Sequence, residues 1–199
     1  MKESHGFLFV GNQLALDFIN TRPIRDGALV ELLPDFGALV NWFRAAGLLT
    51  DKEAGKMRRR WGDSARGRKF MDSVLKLRER LRSEVLTWEV GAPVHRSTVD
   101  ELNRLMAKYP MRTRLKATRE GIGEELWFET GKPENLLAPL VYATARMFAE
   151  VDPERVRKCG QCVLHFHDTS KKGTRRWCSM QLCGNRQKVA AYAARQRRS

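Results

Sequence analysis

"RRWCSMQLCGNRQK", residues 175–188, places two cysteines, Cys178 and Cys183, among basic side chains and directly after a tryptophan. Redox thiols, halves of a disulfide and metal ligands would each give this segment a different fold, so the chemistry of these cysteines decides the architecture. The other two cysteines of the chain lie just upstream. All four fall within 25 residues, as Cys159-x2-Cys162, an interval of 15 residues, and Cys178-x4-Cys183. Two close pairs at this separation have the spacing of a four-thiolate zinc site: each pair forms a tight turn, and the intervening chain returns to complete a tetrahedron. Four thiolates leave no open position for water or substrate, which points to a structural ion rather than a catalytic one. The alternatives are an iron–sulfur cluster and a redox-active Cys159-Gly160-Gln161-Cys162, though no βαβ pattern surrounds that motif. His165 and His167, in "VLHFHD", could replace a cysteine as ligands, but four thiolates suffice and the histidines read as strand residues of a hairpin after the first pair.

Charge changes along the chain together with cysteine content. Residues 155–199 carry 12 basic side chains and one acidic, Asp168, whereas residues 1–154 carry 25 basic and 22 acidic. The net +14 of the 199-residue chain is therefore mostly C-terminal, and such a concentration favours a polyanionic partner. A segment of about 45 residues with so many charges cannot bury enough apolar surface to fold alone, and zinc would serve as its core. The opening "MKESHGFLFVGNQLALDFIN" lacks the unbroken apolar run of a secretory signal. No run reaches the roughly 18 apolar residues of a membrane span. A cytosolic location follows as the expectation, and there thiols stay reduced.

The first 154 residues read as mainly helical. Phe36, Leu39, Val40 and Phe43 line one helix face that ends at Gly47. Thr50 and Glu53 have capping-box spacing at the start of a short basic helix. From Ser64 to about Val90, residues Phe70, Val74, Leu77, Leu81, Val85 and Trp88 recur every three or four positions and predict the central core helix. A further helix, capped by Ser97 or Thr98, runs to Pro110. Alternation around Gly121 and Gly123 predicts a β-hairpin with strands near 112–118 and 125–130. Helical spacing then returns at Leu137, Leu140, Val141, Thr144 and Phe148, with Pro139 tolerable in the first turn. Asp152-Pro153 reads as a linker. The fold class is thus mainly α: a helical N-terminal domain (1–153) with one hairpin, joined to a four-cysteine zinc module (154–199) of ribbon or treble-clef type.

The motif "RRWCSMQLCGNRQK", with the upstream C-x-x-C and "DTS" at 168–170, resembles the CGNR-type zinc finger, in which Cys183-Gly184-Asn185-Arg186 would supply the signature. "LALDFINT" at 14–21 resembles the ABATE domain that accompanies this finger in bacterial proteins described as stress-induced transcription regulators. The resemblance implies one structural zinc held by Cys159, Cys162, Cys178 and Cys183. It also implies transcription regulation through DNA binding.

Candidate contacts to nucleic acid, most naturally duplex DNA, are Lys171, Lys172, Arg175 and Arg176 before Cys178. Arg186, Lys188 and Arg195 follow Cys183 on an Ala-rich helix. At about 100° per residue these last cations form no single stripe, so Arg186 could instead donate to thiolate sulfur, and Arg197 and Arg198 could be a solvated tail. Asp17 and Asn20 interrupt the apolar "LALDFIN"; they either bond within the fold or line a pocket for a small molecule. Residues 1–154 show no nucleophile–base pair, phosphate-binding glycine loop or His–carboxylate metal pattern, which disfavours an enzyme. RNA or ribosome binding and protein interaction through the finger are the rival roles, and the N-terminal domain would sense a ligand or mediate assembly.

Overall fold

The computed structural model describes residues 2–4, 6–25 and 27–196. The chain opens with the antiparallel hairpin of β1 (Lys2–Ser4) and β2 (Phe7–Phe9). Helix α1 (Leu14–Ile19) follows, then a second short hairpin of β3 (Ile24–Arg25) and β4 (Ala28–Leu29). Four helices come next: α2 (Phe36–Ala45), α3 (Asp51–Trp61), α4 (Ala65–Trp88) and α5 (Arg96–Lys108). The hairpin of β5 (Arg112–Thr118) and β6 (Gly121–Trp127) leads through a 3-10 turn at Pro133–Leu136 into α6 (Leu137–Glu150). The last elements are β7 (Val156–Lys158), β8 (His165–His167), a π-helical turn at Met180–Gly184 and α7 (Asn185–Gln196). Helices dominate, as the periodicity predicts, and beyond the expected hairpin the N-terminal region adds two short ones.

Local rules set most helix boundaries. Asp35 caps α2 by accepting from the N–H of Ala38, and Gly47 takes a φ of +76° where the chain must turn left-handed after the helix. Thr50 and Glu53 form the reciprocal capping box at α3, and Ser64 accepts from the N–H of Gly67 at the start of α4. At α5 a tertiary partner displaces the expected local cap. The helix begins at Arg96, and the buried Glu84 carboxylate of α4 accepts from the N–H of His95 (2.7 Å) and the hydroxyl of Thr98 (2.6 Å). The hairpin also differs in register. Thr118 pairs with Gly121 across a two-residue turn, so Gly121 and Gly123 belong to β6, which starts four residues earlier than alternation suggests.

Helix α1 is short and buried along most of its length, with Ala15, Leu16, Asp17, Phe18 and Ile19 all inside. It packs against α6 and α4. Phe18 meets Trp42 of α2, which in turn packs edge-on against Phe43, and Phe36 meets Phe70 of α4. Because α1 is covered on nearly every side, its two polar residues, Asp17 and Asn20 at its end, must find partners inside the protein. Those partners tie α1 to the cysteine module. Among the described residues no helix is long and apolar enough to cross a membrane.

Candidate metal centre and its basic surface

Cys159 and Cys162 sit at the tip of the β7–β8 hairpin. The Cys159 N–H donates to the Leu164 carbonyl (2.8 Å), and the N–H of Gly160 to the Arg176 carbonyl (3.1 Å), which brings the second half of the module across the first. A Cβ at Gly160 would lie 3.0 Å from the Trp177 ring, so the close crossing needs glycine there or a shift of the indole. The Cys178 N–H points at the Cys159 sulfur (3.3 Å). After Cys178 the chain turns on Ser179, whose Oγ accepts from the N–H groups of Gln181 (3.1 Å) and Leu182 (3.3 Å). The Ser179 carbonyl accepts from both Cys183 and Gly184 (3.0 Å each). The second of these bonds spans five residues and defines a π turn, which explains why four residues separate this cysteine pair. A knuckle on a hairpin and a second pair leading into a helix is the treble-clef alternative of the two arrangements expected.

The four sulfurs lie within 4.8 Å of one another, with Cys162 to Cys178 at 3.7 Å and Cys178 to Cys183 at 3.6 Å. A tetrahedral zinc with Zn–S bonds of about 2.3 Å gives sulfur–sulfur edges of about 3.8 Å. A disulfide needs about 2.05 Å. The donor chemistry agrees. Hydrogen bonds from Cys162 and Cys178 hold the Cys159 thiol far below its ordinary range, whereas the hydrogen bond with Cys159 pushes Cys162 up to about 12, those with Cys159 and Cys162 push Cys178 well above its ordinary value, and burial pushes Cys183 up. Only a cation among them lets all four ionise together. The four cysteines are thus poised to hold one zinc ion, which would supply the module with a fixed core.

The other expected site residues separate into two groups. Lys171, Lys172 and Arg176 are exposed on the loop before Cys178, and Arg186 and Lys188 are exposed on the first turn of α7. Arg176 lies over the Trp177 ring at 5.4 Å. Arg175 differs from the expectation. Its guanidinium turns inward over the Phe166 ring (4.2 Å), and it donates to the carbonyls of Trp177 (2.8 Å), Val10 (3.2 Å) and Cys178. Arg175 thus bridges the Trp177–Cys178 turn and Val10 and acts as a partner to backbone carbonyls rather than as a free surface cation. Arg186 is exposed, and among the described residues it makes no hydrogen bond to a cysteine sulfur. Arg195 lies on α7 with its side chain outside the described residues, and Arg197 and Arg198 lie outside them altogether. His165 and His167 occupy β8, as expected, and are not among the clustered ligands.

Asp168, the lone acid of this segment, is fully buried and organises the basic loop. Its carboxylate accepts from the N–H of Ser170 (2.9 Å) and of Arg175 (2.8 Å). Burial works against its charge, yet these bonds from Ser170 and Arg175 keep its pKa below the ordinary value. Arg155 closes the other side by donating to the Ser170 carbonyl (2.8 Å). The sequence marked Asp168 only as the lone acid and as part of "DTS" and gave no role to Arg155, although a single acid among 12 cations, followed by Thr and Ser, is a turn signal.

The module is clasped by residues 10–20. Asn20 donates to the His165 carbonyl and accepts from the His165 N–H, both at 2.8 Å, as a neighbouring strand would. The His167 N–H donates to the Gly11 carbonyl (2.8 Å), and Asn12, at φ 57°, donates to the His167 carbonyl (2.9 Å). Val10 packs with Leu164, Phe166 and the cysteines. Gly11 cannot be replaced without movement, because a Cβ there would lie 2.7 Å from the Leu16 Cβ. Replacing Asn20 by Ala leaves the buried N–H and C=O of His165 unpaired, at roughly 1–3 kcal/mol for each group. The variant should therefore lose about 2–6 kcal/mol of stability, measurable by urea unfolding, with faster exchange of the His165 amide.

Asp17 completes the clasp by accepting from the Gly11 N–H (2.7 Å). Burial outweighs the lowering effect of hydrogen bonds from Gly11 and Val10 and raises its pKa from 3.8 to about 6. An acid whose pKa is higher folded than unfolded binds more protons in the folded state, so its contribution is full below about pH 4 and is lost as pH rises through 6. Asp17→Asn removes this titration. Stability of the native protein minus that of the variant should fall by up to about 3 kcal/mol between pH 4 and pH 7; a constant difference across urea midpoints at these pH values would contradict the assignment.

A helical body clasping a basic, four-cysteine treble clef defines the class: a zinc-finger protein whose finger has its own small core and is tied to the helical region by the hydrogen bonds of residues 11–20. Residues 12–151 match the family model ABATE, described as "Putative stress-induced transcription regulator", and residues 155–196 match the CGNR zinc finger. The chain belongs to the ABATE family and carries the CGNR finger after it, a zinc-binding protein of a regulator family. No curated protein matches the chain.

Proposed function

We propose that the protein regulates transcription by binding duplex DNA through its zinc module, with no catalytic role, and that the N-terminal helical region serves assembly or ligand sensing. The observation that carries this reading is the one-sided charge around the metal centre. Lys171, Lys172, Arg176, Arg186 and Lys188 are all exposed, and the only acid of the segment, Asp168, is buried among backbone donors. Arg157 and Lys158 of β7 are exposed as well and add to the positive charge of the module. A rigid treble clef holding these cations can neutralise phosphates, and the arginines can also read guanine edges. The structural zinc contributes shape and leaves the side chains to do the recognition. Titration of duplex DNA at a series of salt concentrations tests the proposal: affinity should fall linearly on logarithmic axes, by about 0.9 per phosphate neutralised. Preference for RNA in competition, or no nucleic-acid affinity at low salt, would move the function to one of the rival roles.

A further inference from the structure

Helix α3 carries a basic face that the zinc module does not use. Residues 51–69 hold 8 basic and 3 acidic side chains, against 17 and 19 in the rest of residues 1–154, so the helical region keeps its whole positive excess here. At about 100° per residue, Lys52, Lys56, Arg59 and Arg60 fall within about 100° of arc, on the side of the helix away from the buried Ala54 and Met57. All four are exposed, and among the described residues none pairs with a carboxylate. The acids of the helix are engaged elsewhere, Asp51 with Arg44 (3.1 Å) and Glu53 in the capping box with Thr50, and Asp63 lies past the helix end. Arg60 is held over the Trp61 ring (4.8 Å), which also carries Arg66 (5.3 Å), so its rotamers are restricted before any partner arrives. Gly55 lies beside Arg59 on the same flank. A Cβ there would meet only the Arg59 guanidinium (3.4 Å). Packing therefore does not require glycine at a helix position where alanine is the more stable residue, and the missing side chain leaves the backbone open to close approach.

The stripe has no apolar residue to insert among lipid tails, and none to form the dry centre of a protein interface. What it offers is a row of fixed positive charge. We propose that α3 is a second phosphate-contacting surface, lying along the backbone of the same duplex that the zinc module binds. Lys52 to Arg59 span about 10 Å of helix, the axial length of about three phosphates of one DNA strand. Helix α4 sets the spacing between the two surfaces. α3 ends against its first turn, where a Cβ at Gly67 would strike the Trp61 carbonyl. Further along α4, Arg82 donates to the Val163 carbonyl of the module (3.0 Å). From Gly67 to Arg82 is about 22 Å of helix, less than one turn of duplex DNA at about 34 Å, so a duplex running along α4 meets both surfaces within one turn. This inference rests on the DNA-binding reading of the module and adds to it contacts from the helical region.

Salt titration of the full chain on a duplex of about 30 base pairs tests it. Replacing Lys52, Lys56 and Arg59 together by Ala should make the slope of log affinity against log salt shallower by up to about 2.7, and should weaken binding at least about tenfold near physiological salt. Circular dichroism and zinc content should not change, because alanine favours helix and the three side chains are exposed. A control with Lys76, Arg119 and Lys132 replaced by Ala, which removes as many exposed cations from elsewhere on the body, should leave the slope nearly unchanged. Equal loss in the control overturns the proposal in favour of bulk charge. Native affinity and slope in the α3 variant also overturn it, and if binding is then lost on replacing Lys171, Lys172 and Arg176, the function proposed for the module still stands. No DNA affinity in the native protein sinks both. Loss on single-stranded RNA with none on the duplex overturns it in favour of an RNA-binding surface.

Discussion

Cys178→Ser should release the zinc and melt the C-terminal module while the helical body stays folded. Cys178 touches the other three cysteines: its sulfur lies 3.7 Å from that of Cys162 and 3.6 Å from that of Cys183, and its N–H points at the Cys159 sulfur. Without the ion, the module's interior is little more than Val10, Leu164 and Phe166 with partly buried neighbours, whereas structural zinc supplies on the order of 10–16 kcal/mol of apparent binding energy. No set of side chains this small can replace it. The body has its own core in α1, α2, α4 and α6, with Phe18, Phe36, Trp42 and Phe43 almost fully buried, and it should keep most of its far-ultraviolet helical signal. The clasp at residues 10–20 would lose its partner strand, so protection at Asn20 and Gly11 should fall together with that of β8. Elemental analysis of protein purified without chelator should give one zinc per chain for the native protein and less than one for the variant. Absence of metal in the native protein, with a folded Cys178→Ser module, would refute the zinc-centred fold.

What could be read from the sequence, and what could not, follows the range of the forces involved. The four cysteines are legible because ligand spacing is a local pattern set by turn geometry. Helix α4 is legible because 24 residues of regular apolar spacing have one reading, and the capping box at Thr50 because its partners are three residues apart. Interactions between distant segments are not. Asn20 and His165 are separated by 145 positions, and nothing near either announces the other. The same holds for the Glu84 carboxylate that starts α5, and for Arg175, which the sequence presents as one more cation of a basic run. The carbonyls of Val10, Trp177 and Cys178 and the Phe166 ring together draw Arg175 inward. Asp17 and Asn20 stood out as polar residues in an apolar run, and the structure gives them the internal hydrogen-bonding role of the two readings considered.

The placement of Arg175 changes what charge removal on the loop should do. Replacing Lys171, Lys172 and Arg176 together by Ala removes three exposed cations, none of which forms an ion pair among the described residues, and leaves Arg175 to hold the Trp177 and Val10 carbonyls. The module should stay folded and keep its zinc. If each of the three neutralises a phosphate, the slope of log affinity against log salt should become shallower by up to about 2.7, and affinity near physiological salt should drop on the order of a hundredfold. Arg175→Ala should give the opposite pattern: lower thermal stability, with the salt slope of the remaining folded protein nearly unchanged. The two variants thus separate a binding surface from a structural support that composition alone makes look alike. A parallel loss on every DNA sequence would assign the loop to phosphates, whereas relaxed preference at one base pair, by roughly 1–3 kcal/mol, would assign Arg176 to a guanine edge. Equal affinity and equal slope for the native protein and the triple variant would remove the loop from recognition and leave Arg186, Lys188 and the exposed cations of β7 as the surface to test.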